Sequence, residues 1–381
     1  MNMQRIAILG SGVGGTMVAN RLARELRTEI EHKQVEILLI GEEATHTYQP
    51  GFLYVAFNQA PLERFMRPQS KLLVSGVRFV NARATRIDKD NNKILLEHNE
   101  TISYDFLVIA TGSHPTMDTV PGLKEGAYTF YTAEHAIALR DALVKMESGR
   151  IVIGVDVPHK CPVAVLEFTM MLDEYLRNRG TRDKFEIVYT YPIGRLHSLV
   201  PVADWVEPEF ERRGIKSEFF FNVDSVNPET KVVESLEGSS YEYDLLVMIP
   251  AHRGARVIID SGLGDESGFI PTDRYSLRMK GSQNIYVIGD ATDLPISKAG
   301  STAHYEADTM VANILDEVRG LPANHRYDGK VYCFIEGGLE KATYIAFSYT
   351  KPPQPTAPSE LLHWFKLMYN EIYWLSIRGL L

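Results

Sequence analysis

In Arg5-Ile6-Ala7-Ile8-Leu9 a short, unbroken apolar run starts at Ile6, after which the period changes and Val18, Leu22 and Leu26 recur at helical spacing. A second apolar run, Val35-Glu36-Ile37-Leu38-Leu39-Ile40, follows. Runs with so little polar alternation predict strands covered on both faces, and the order strand, helix, strand predicts a parallel sheet. Later runs repeat the signal at Tyr104 to Ala110, Arg150 to Gly154 and Asn284 to Ile288. A helix is predicted from Pro162 to about Arg179, with proline in its favoured first position and Cys161 as N-cap. Near the C-terminus, Tyr344 to Tyr349 reads as an apolar, aromatic strand, which Pro352, Pro353, Pro355 and Pro358 break. Beyond the break, Ser359 can cap a helix in which Leu361, Trp364, Phe365, Met368, Ile372 and Leu375 recur at helical spacing. Its apolar residues fall on several faces, and Trp364, Tyr369, Tyr373 and Trp374 add rings suited to a lipid headgroup boundary. The expectation is a one-sided membrane anchor.

The turn between the first strand and helix is Gly10-Ser11-Gly12-Val13-Gly14-Gly15, which fits G-x-G-x-x-G. Gly10 permits the tight turn, Gly12 lets the backbone approach a pyrophosphate, and Gly15 lets the helix pack closely. The helix N-terminus then offers amides and a positive dipole end to the phosphates. Glu42 or Glu43, after the second strand, is the acid expected on a ribose hydroxyl. Two later strands end in Ala110-Thr111-Gly112 and Gly289-Asp290. With the first motif they resemble the two-dinucleotide-binding-domain flavoproteins, which implies FAD, with Asp290 on its ribityl chain.

The fold class expected is therefore α/β, with two Rossmann-like dinucleotide-binding domains and a C-terminal membrane-association region. Residues 1–112 and 251–325 would form the FAD domain, 113–250 the second Rossmann-like domain, and 326–381 the C-terminal region. The second unit departs from the first. Its turn reads Gly154-Val155-Asp156-Val157-Pro158, where β-branched side chains obstruct a pyrophosphate, so no NAD(P)H is expected. Cys161 stands there instead, with His159, Lys160 and the helix dipole favouring its thiolate.

Composition narrows the chemistry. The 381 residues carry a net charge of -9, without the basic excess that nucleic-acid binding requires. Two cysteines, Cys161 and Cys333, cannot build a disulfide framework or a Cys-x-x-Cys metal site, and no metal is expected. No run reaches the roughly 18–20 apolar residues that span a bilayer. The first strand starts too early for a cleavable leader, so the expected location is the cytoplasmic side of a membrane.

Pro158-His159-Lys160-Cys161-Pro162, Cys333-Phe334-Ile335-Glu336, Ile249-Pro250-Ala251-His252-Arg253-Gly254 and Pro295-Ile296-Ser297-Lys298-Ala299-Gly300 together resemble the sulfide:quinone oxidoreductase family over nearly the whole chain. That family is kin to flavocytochrome c sulfide dehydrogenases and type II NADH dehydrogenases. The resemblance implies that Cys161 and Cys333 flank the flavin and carry sulfur as disulfide, polysulfide and persulfide, with sulfide and polysulfide as substrate and product. It implies that Glu167 handles protons, that His135 and His197 affect turnover, and that Lys298 with the helix start at Gly300 stabilises the reduced ring. Phe347 and Tyr349 are expected to wall a site for a membrane quinone. Many members carry a third cysteine where Tyr131 stands here. A homo-oligomer is compatible with this picture. A type II NADH:quinone oxidoreductase and a non-enzymatic flavoprotein scaffold are the alternatives.

Overall fold

The computed structural model describes residues 3–380. Five parallel strands form the first sheet, in the spatial order Ile285–Val287, Phe106–Ile109, Gln4–Leu9, Val35–Gly41, Val77–Asn81. The apolar runs become strands because both faces are covered. Ile6, Ile8, Ile37 and Leu39 pack with Met17, Val18 and Leu22 of helix Val13–Glu25 and with Met310 and Ile314 of helix Gly300–Val318. Their neighbours Ala7, Leu9, Ile40, Leu107 and Ile109 point the other way, onto Ile87, Ile94 and Leu96.

The second parallel sheet runs Lys216–Phe219, Phe185–Tyr191, Gly149–Val155, Leu245–Ile249. Ile151, Ile153, Ile187 and Tyr189 pack on helix Ala164–Asn178, while Val152, Val188, Leu246 and Met248 face a separate cluster. Each parallel sheet is interrupted by an antiparallel meander of three strands, Ala84–Asp88, Lys93–Leu96 and Thr101–Ser103 in one case, Val223–Asn227, Val232–Ser235 and Ser240–Glu242 in the other. The chain crosses between the sheets through Ser113–Pro115 and returns through His252–Gly254, and these two crossings pair antiparallel.

The final region is a two-stranded ribbon, Val331–Glu336 with Ala342–Phe347, followed by helix Glu360–Ser376. Ser359 caps it, its hydroxyl accepting from the Leu362 amide at 3.3 Å. This helix docks with its polar side. Lys366, Asn370 and Tyr373 are buried, whereas Leu361, Trp364, Phe365, Met368 and Leu375 are 43–66% exposed. Leaving a large apolar side chain in water forgoes about 1.5–3 kcal/mol, so a ridge of five calls for a cover. Among the described residues no helix is long and apolar enough to cross a membrane.

Candidate active site

The glycine turn divides its labour. Gly10 has φ 111°, and a Cβ there would lie 2.3 Å from the Ala110 carbonyl oxygen. A Cβ on Gly15 would lie 1.8 Å from the Gly10 carbonyl oxygen, so this glycine serves contact between helix and strand. Gly12 N-caps the helix, yet nothing lies within 4 Å of the position its Cβ would take. Gly300, the first residue of the long helix, is equally open. Thr111 Oγ1, between the buried Ala110 and Gly112 (φ 67°), is itself buried without a hydrogen-bond partner. An open, amide-lined surface at two helix N-termini with an unsatisfied hydroxyl beside it fits a dinucleotide. Asp290 accepts from the Ser113 hydroxyl at 3.2 Å. Glu42 directly follows the second strand, its carboxylate 3.9 Å from Arg83, and Glu43 is exposed. Sequence reasoning missed Glu306, which is fully buried on the long helix and accepts the Gly289 amide at 2.6 Å. An isolated acid on an otherwise apolar helix face was its only signal.

Cys161 is not an N-cap. The helix after it starts at Ala164 with Val163 as its cap, and Cys161 takes the left-handed conformation at φ 51°. A side chain held there costs roughly 1–2 kcal/mol, offset by bonds on both sides. The Cys161 amide donates to the Lys298 carbonyl at 2.7 Å, and its own carbonyl accepts from the Ala164 amide at 3.0 Å. The Tyr131 hydroxyl lies 3.0 Å from the Lys160 carbonyl and 3.3 Å from that of Cys161. Cys333, in the ribbon, has its Sγ 3.8 Å from the Ser301 hydroxyl.

The expected thiolate at Cys161 is also corrected. Burial pushes both thiols up, Cys333 to about 11 and Cys161 further, with Glu167 adding to each. The neighbours meant to stabilise the anion are occupied elsewhere. Lys160 Nζ donates to Gln49 Oε1 at 2.7 Å and to the Ser113 carbonyl at 3.3 Å, and burial lowers its pKa. His159 donates Nδ1–H to the Asp156 carbonyl at 2.8 Å, and burial pushes it down to about 4. Both sulfurs are half-buried against the same hydrophobic cluster, an environment that disfavours their charged forms.

Behind them lies a buried acid–base network. Lys366 Nζ contacts Glu167 Oε1 and stands 3.7 Å from Glu336 Oε1. Glu167 Oε1 also accepts the Glu336 amide at 2.9 Å. Glu336 accepts from the Tyr54 hydroxyl at 2.7 Å and from His363 Nδ1 at 2.9 Å. Burial pushes Glu167 up, against the opposing pull of Lys366. On Glu336 the same burial is outweighed by Lys366, His363 and Tyr54, which hold it below the carboxylate range. Burial alone would discharge Lys366, but Glu167, Tyr54 and Glu336 keep its proton on. The network thus sets Lys366 between two carboxyl groups whose proton affinities are pushed in opposite directions, Glu167 up and Glu336 down. The sequence reading quoted Glu336 within the Cys333 segment without giving it a role, and passed over Lys366, a lone charge among apolar neighbours.

The ribbon separates two environments by strand alternation. Val331, Cys333 and Ile335 face one side with Phe347, Ile345 and Thr343 opposite; Tyr332, Phe334 and Glu336 face the other with Ala346, Tyr344 and Ala342 opposite. Tyr332 stacks on Tyr344 at 5.2 Å, and Phe334 meets Tyr369 of the C-terminal helix at 6.1 Å. Phe347 and Tyr349 therefore do not form one wall. Phe347 lies on the Cys333 face, and Tyr349, past the strand end, packs on Tyr327 and beneath Arg274, 3.9 Å away. His135 is engaged locally, its Nδ1 2.8 Å from the capping Thr132 hydroxyl. His197 is buried, accepts the Leu199 amide at 3.0 Å, and is pushed down to about 4 by burial and then by His159, so it stands beside the Cys161 loop. Lys298 sends Nζ to the carbonyls of Asp290 at 3.0 Å and Thr292 at 2.6 Å, while its own carbonyl holds Cys161.

Known proteins resemble this chain in sequence and in fold. A mitochondrial sulfide:quinone oxidoreductase of Dictyostelium discoideum is 26% identical over 360 residues, covering 91% of this chain and 78% of that protein. The crystal structure of sulfide:quinone oxidoreductase from Aquifex aeolicus superposes with a TM-score of 0.89 at 23% identity, over 99% of this chain and 92% of that one. NDH2 of Plasmodium falciparum, solved with NADH, superposes with a TM-score of 0.73 at 13% identity, over 98% and 97% of the two chains, a likeness of fold. The family model for pyridine nucleotide-disulphide oxidoreductases matches residues 4–309, which takes in the glycine turn, Cys161 and the Gly289-Asp290 turn. With that match and a cradle suited to a dinucleotide, the chain belongs to the pyridine nucleotide-disulphide oxidoreductase family and is an FAD-dependent oxidoreductase.

Proposed function

We propose that this protein oxidises sulfide and delivers the electrons to a membrane quinone. The observation that carries the reading is the convergence of Cys161 and Cys333, far apart in sequence and both half-buried against one hydrophobic cluster, on the segment 298–301, where Lys298 holds the Cys161 amide and Ser301 meets the Cys333 sulfur, with Glu167 and Lys366 acting on both. In the oxidised enzyme the two sulfurs form a disulfide. Hydrosulfide attacks one of them, the S–S bond breaks, and a persulfide and a thiol remain, with the proton taken up by the departing sulfur. Bound FAD supplies the two-electron acceptor that links the sulfur pair to the quinone. With two electrons withdrawn to that acceptor and two protons released, the persulfide and the thiol join in a bridge one sulfur longer, which the next hydrosulfide attacks, and successive rounds lengthen the chain to polysulfide.

Quinone reduction also takes up two protons. The aromatic face of the ribbon, Tyr332, Phe334 and Tyr344 with Tyr369, offers flat surfaces for a quinone ring, and Glu336 on that same face offers a proton route through Lys366 and Glu167. The exposed ridge Leu361, Trp364, Phe365, Met368 and Leu375 would enter one leaflet, placing the quinone tail in lipid. Lack of NAD(P)H binding is supported by the loop 156–163, which carries Val157, Pro158 and Cys161 where the first unit has only Gly10-Ser11-Gly12.

Anaerobic reduction of the bound flavin tests the proposal. Sulfide should bleach it and NADH should not, while Cys161→Ser and Cys333→Ser should each keep FAD and drop sulfide-dependent quinone reduction to background. Rapid bleaching by micromolar NADH would sink it.

A further inference from the structure

We infer that Tyr131 is a positioning residue that fixes the direction of Cys161 toward Cys333. Its ring is buried, 5.1 Å from Phe130 and edge-on to His252 at 5.0 Å, so the hydroxyl is delivered to a fixed point. Two successive carbonyls, Lys160 and Cys161, converge on that hydroxyl. In extended chain, consecutive carbonyls point to opposite sides; the left-handed φ of Cys161 brings them together. The Cys161 amide is meanwhile tied to the Lys298 carbonyl on another element. Both peptides flanking the Cys161 Cα are thus held from outside the loop, leaving χ1 as the sulfur's remaining freedom. A disulfide tolerates only a narrow range of Cα and Cβ placements, so a loop pinned in this way raises the effective concentration of one sulfur at the other.

This inference rests on the two-cysteine reading. The step it concerns is reversible bridging: Cys161 and Cys333 give up two electrons and two protons to glutathione disulfide, forming one S–S bond and two glutathione thiols. The holoenzyme is equilibrated anaerobically over a range of glutathione ratios and quenched by alkylation, and the bridged fraction is read by mass. Tyr131→Phe keeps the ring but removes the donor, and should lower the bridging constant about tenfold, the size of one net hydrogen bond, with FAD content unchanged. Replacing Tyr131 with 4-aminophenylalanine restores an N–H donor and should bring the constant back to within about threefold of wild type.

A wild type that forms no glutathione-sensitive bridge would remove the two-cysteine reading, and the role of Tyr131 with it. A normal bridge in the wild type with an unchanged constant in Tyr131→Phe would overturn the positioning role alone. If Tyr131→Phe loses FAD, the 4-aminophenylalanine variant decides: an FAD-loaded protein with wild-type bridging supports the donor role, and one that fails to recover overturns it.

Discussion

Cys333 and Glu336 lie on the same six-residue strand and face opposite sides of it. The thiol looks into the sulfur pocket with Ile345 and Phe347; the carboxylate looks toward Tyr54, His363 and Lys366. The strand thus sets the Cys333 thiol and the Glu336 carboxylate on opposite faces, while Glu167 and Lys366 act on both cysteines, so Glu336 is the member of the network that can be perturbed with least effect on the sulfur.

Glu336→Gln should separate the two halves of the proposed reaction. The amide preserves size, and Lys366 keeps its contact with Glu167. Quinone reduction should fall about 10²-fold, while sulfide should bleach the flavin within about threefold of the wild-type rate. Stopped-flow absorbance checks both phases; equal slowing of the two would place Glu336 in the sulfur half. Lys366→Met should instead destabilise the fold by about 3–5 kcal/mol, because it strands two buried carboxyl groups.

Gly12→Ala and Gly15→Ala should fail differently. At Gly12 a methyl meets no protein atom within 4 Å, so the fold should survive while FAD retention falls by an order of magnitude or more. At Gly15 it meets a carbonyl oxygen at 1.8 Å, so soluble expression itself should suffer. Circular dichroism with FAD content distinguishes the two, and Gly12→Ala retaining full FAD would remove Gly12 from the phosphate site.

Acid should destabilise the protein in a defined window. His46, His159 and His197 are pushed down to about 4 and His252 to about 3, in each case mainly by burial. The unfolded chain takes up these protons near pH 6.5 and the folded chain does not, so their contribution to stability is complete above about 6.5 and is lost as pH falls through about 4. A tenfold difference in proton affinity between the folded and unfolded chain is worth about 1.4 kcal/mol. The urea midpoint should therefore drop steeply between pH 6.5 and 4.5. A flat profile over that range would contradict neutral burial of these rings.

Deleting residues 359–381 should release FAD as well as abolish membrane binding. Tyr373 shares a 2.6 Å bond with His46, whose Nδ1 donates to the Ser11 carbonyl inside the glycine turn at 3.1 Å. Asn20 of the glycine-turn helix donates to the Ile377 carbonyl at 2.8 Å, and His304 of the long helix lies 3.0 Å from the Ser376 hydroxyl. Flavin fluorescence after gel filtration reads the loss; a truncated protein that keeps its FAD would show these bonds to be dispensable.

Sequence made much of this legible because glycine motifs and buried parallel strands act locally. The 10–15 turn, the strands at 5, 35, 104, 150 and 284, and the Ser359 cap need no distant partner to be recognised. The two meanders were less visible: their strands are short and half-exposed, although Asp90-Asn91-Asn92 and Asn227-Pro228-Glu229 mark their turns. The thiol environment was misread because the charges of His159 and Lys160 were credited to Cys161 by adjacency, whereas burial and the bonds to Asp156, Gln49 and Ser113 decide their state. The C-terminal helix was read by its apolar face, and the residues that dock it are its polar ones. Only tertiary structure shows that Lys366 is an interior residue.

The paired crossings, Ser113–Pro115 with His252–Gly254, set how the two halves can move. A single linker would act as a swivel; two bonded together act as a hinge with a fixed pin, permitting opening about one axis while resisting twist. Cys161 is carried by one half and Lys298, which holds its amide, by a segment beyond the return crossing. In the proposed reaction, an opening that admits sulfide or releases a long sulfur chain would turn about this pair, and closing would have to re-form the bond between Lys298 and Cys161.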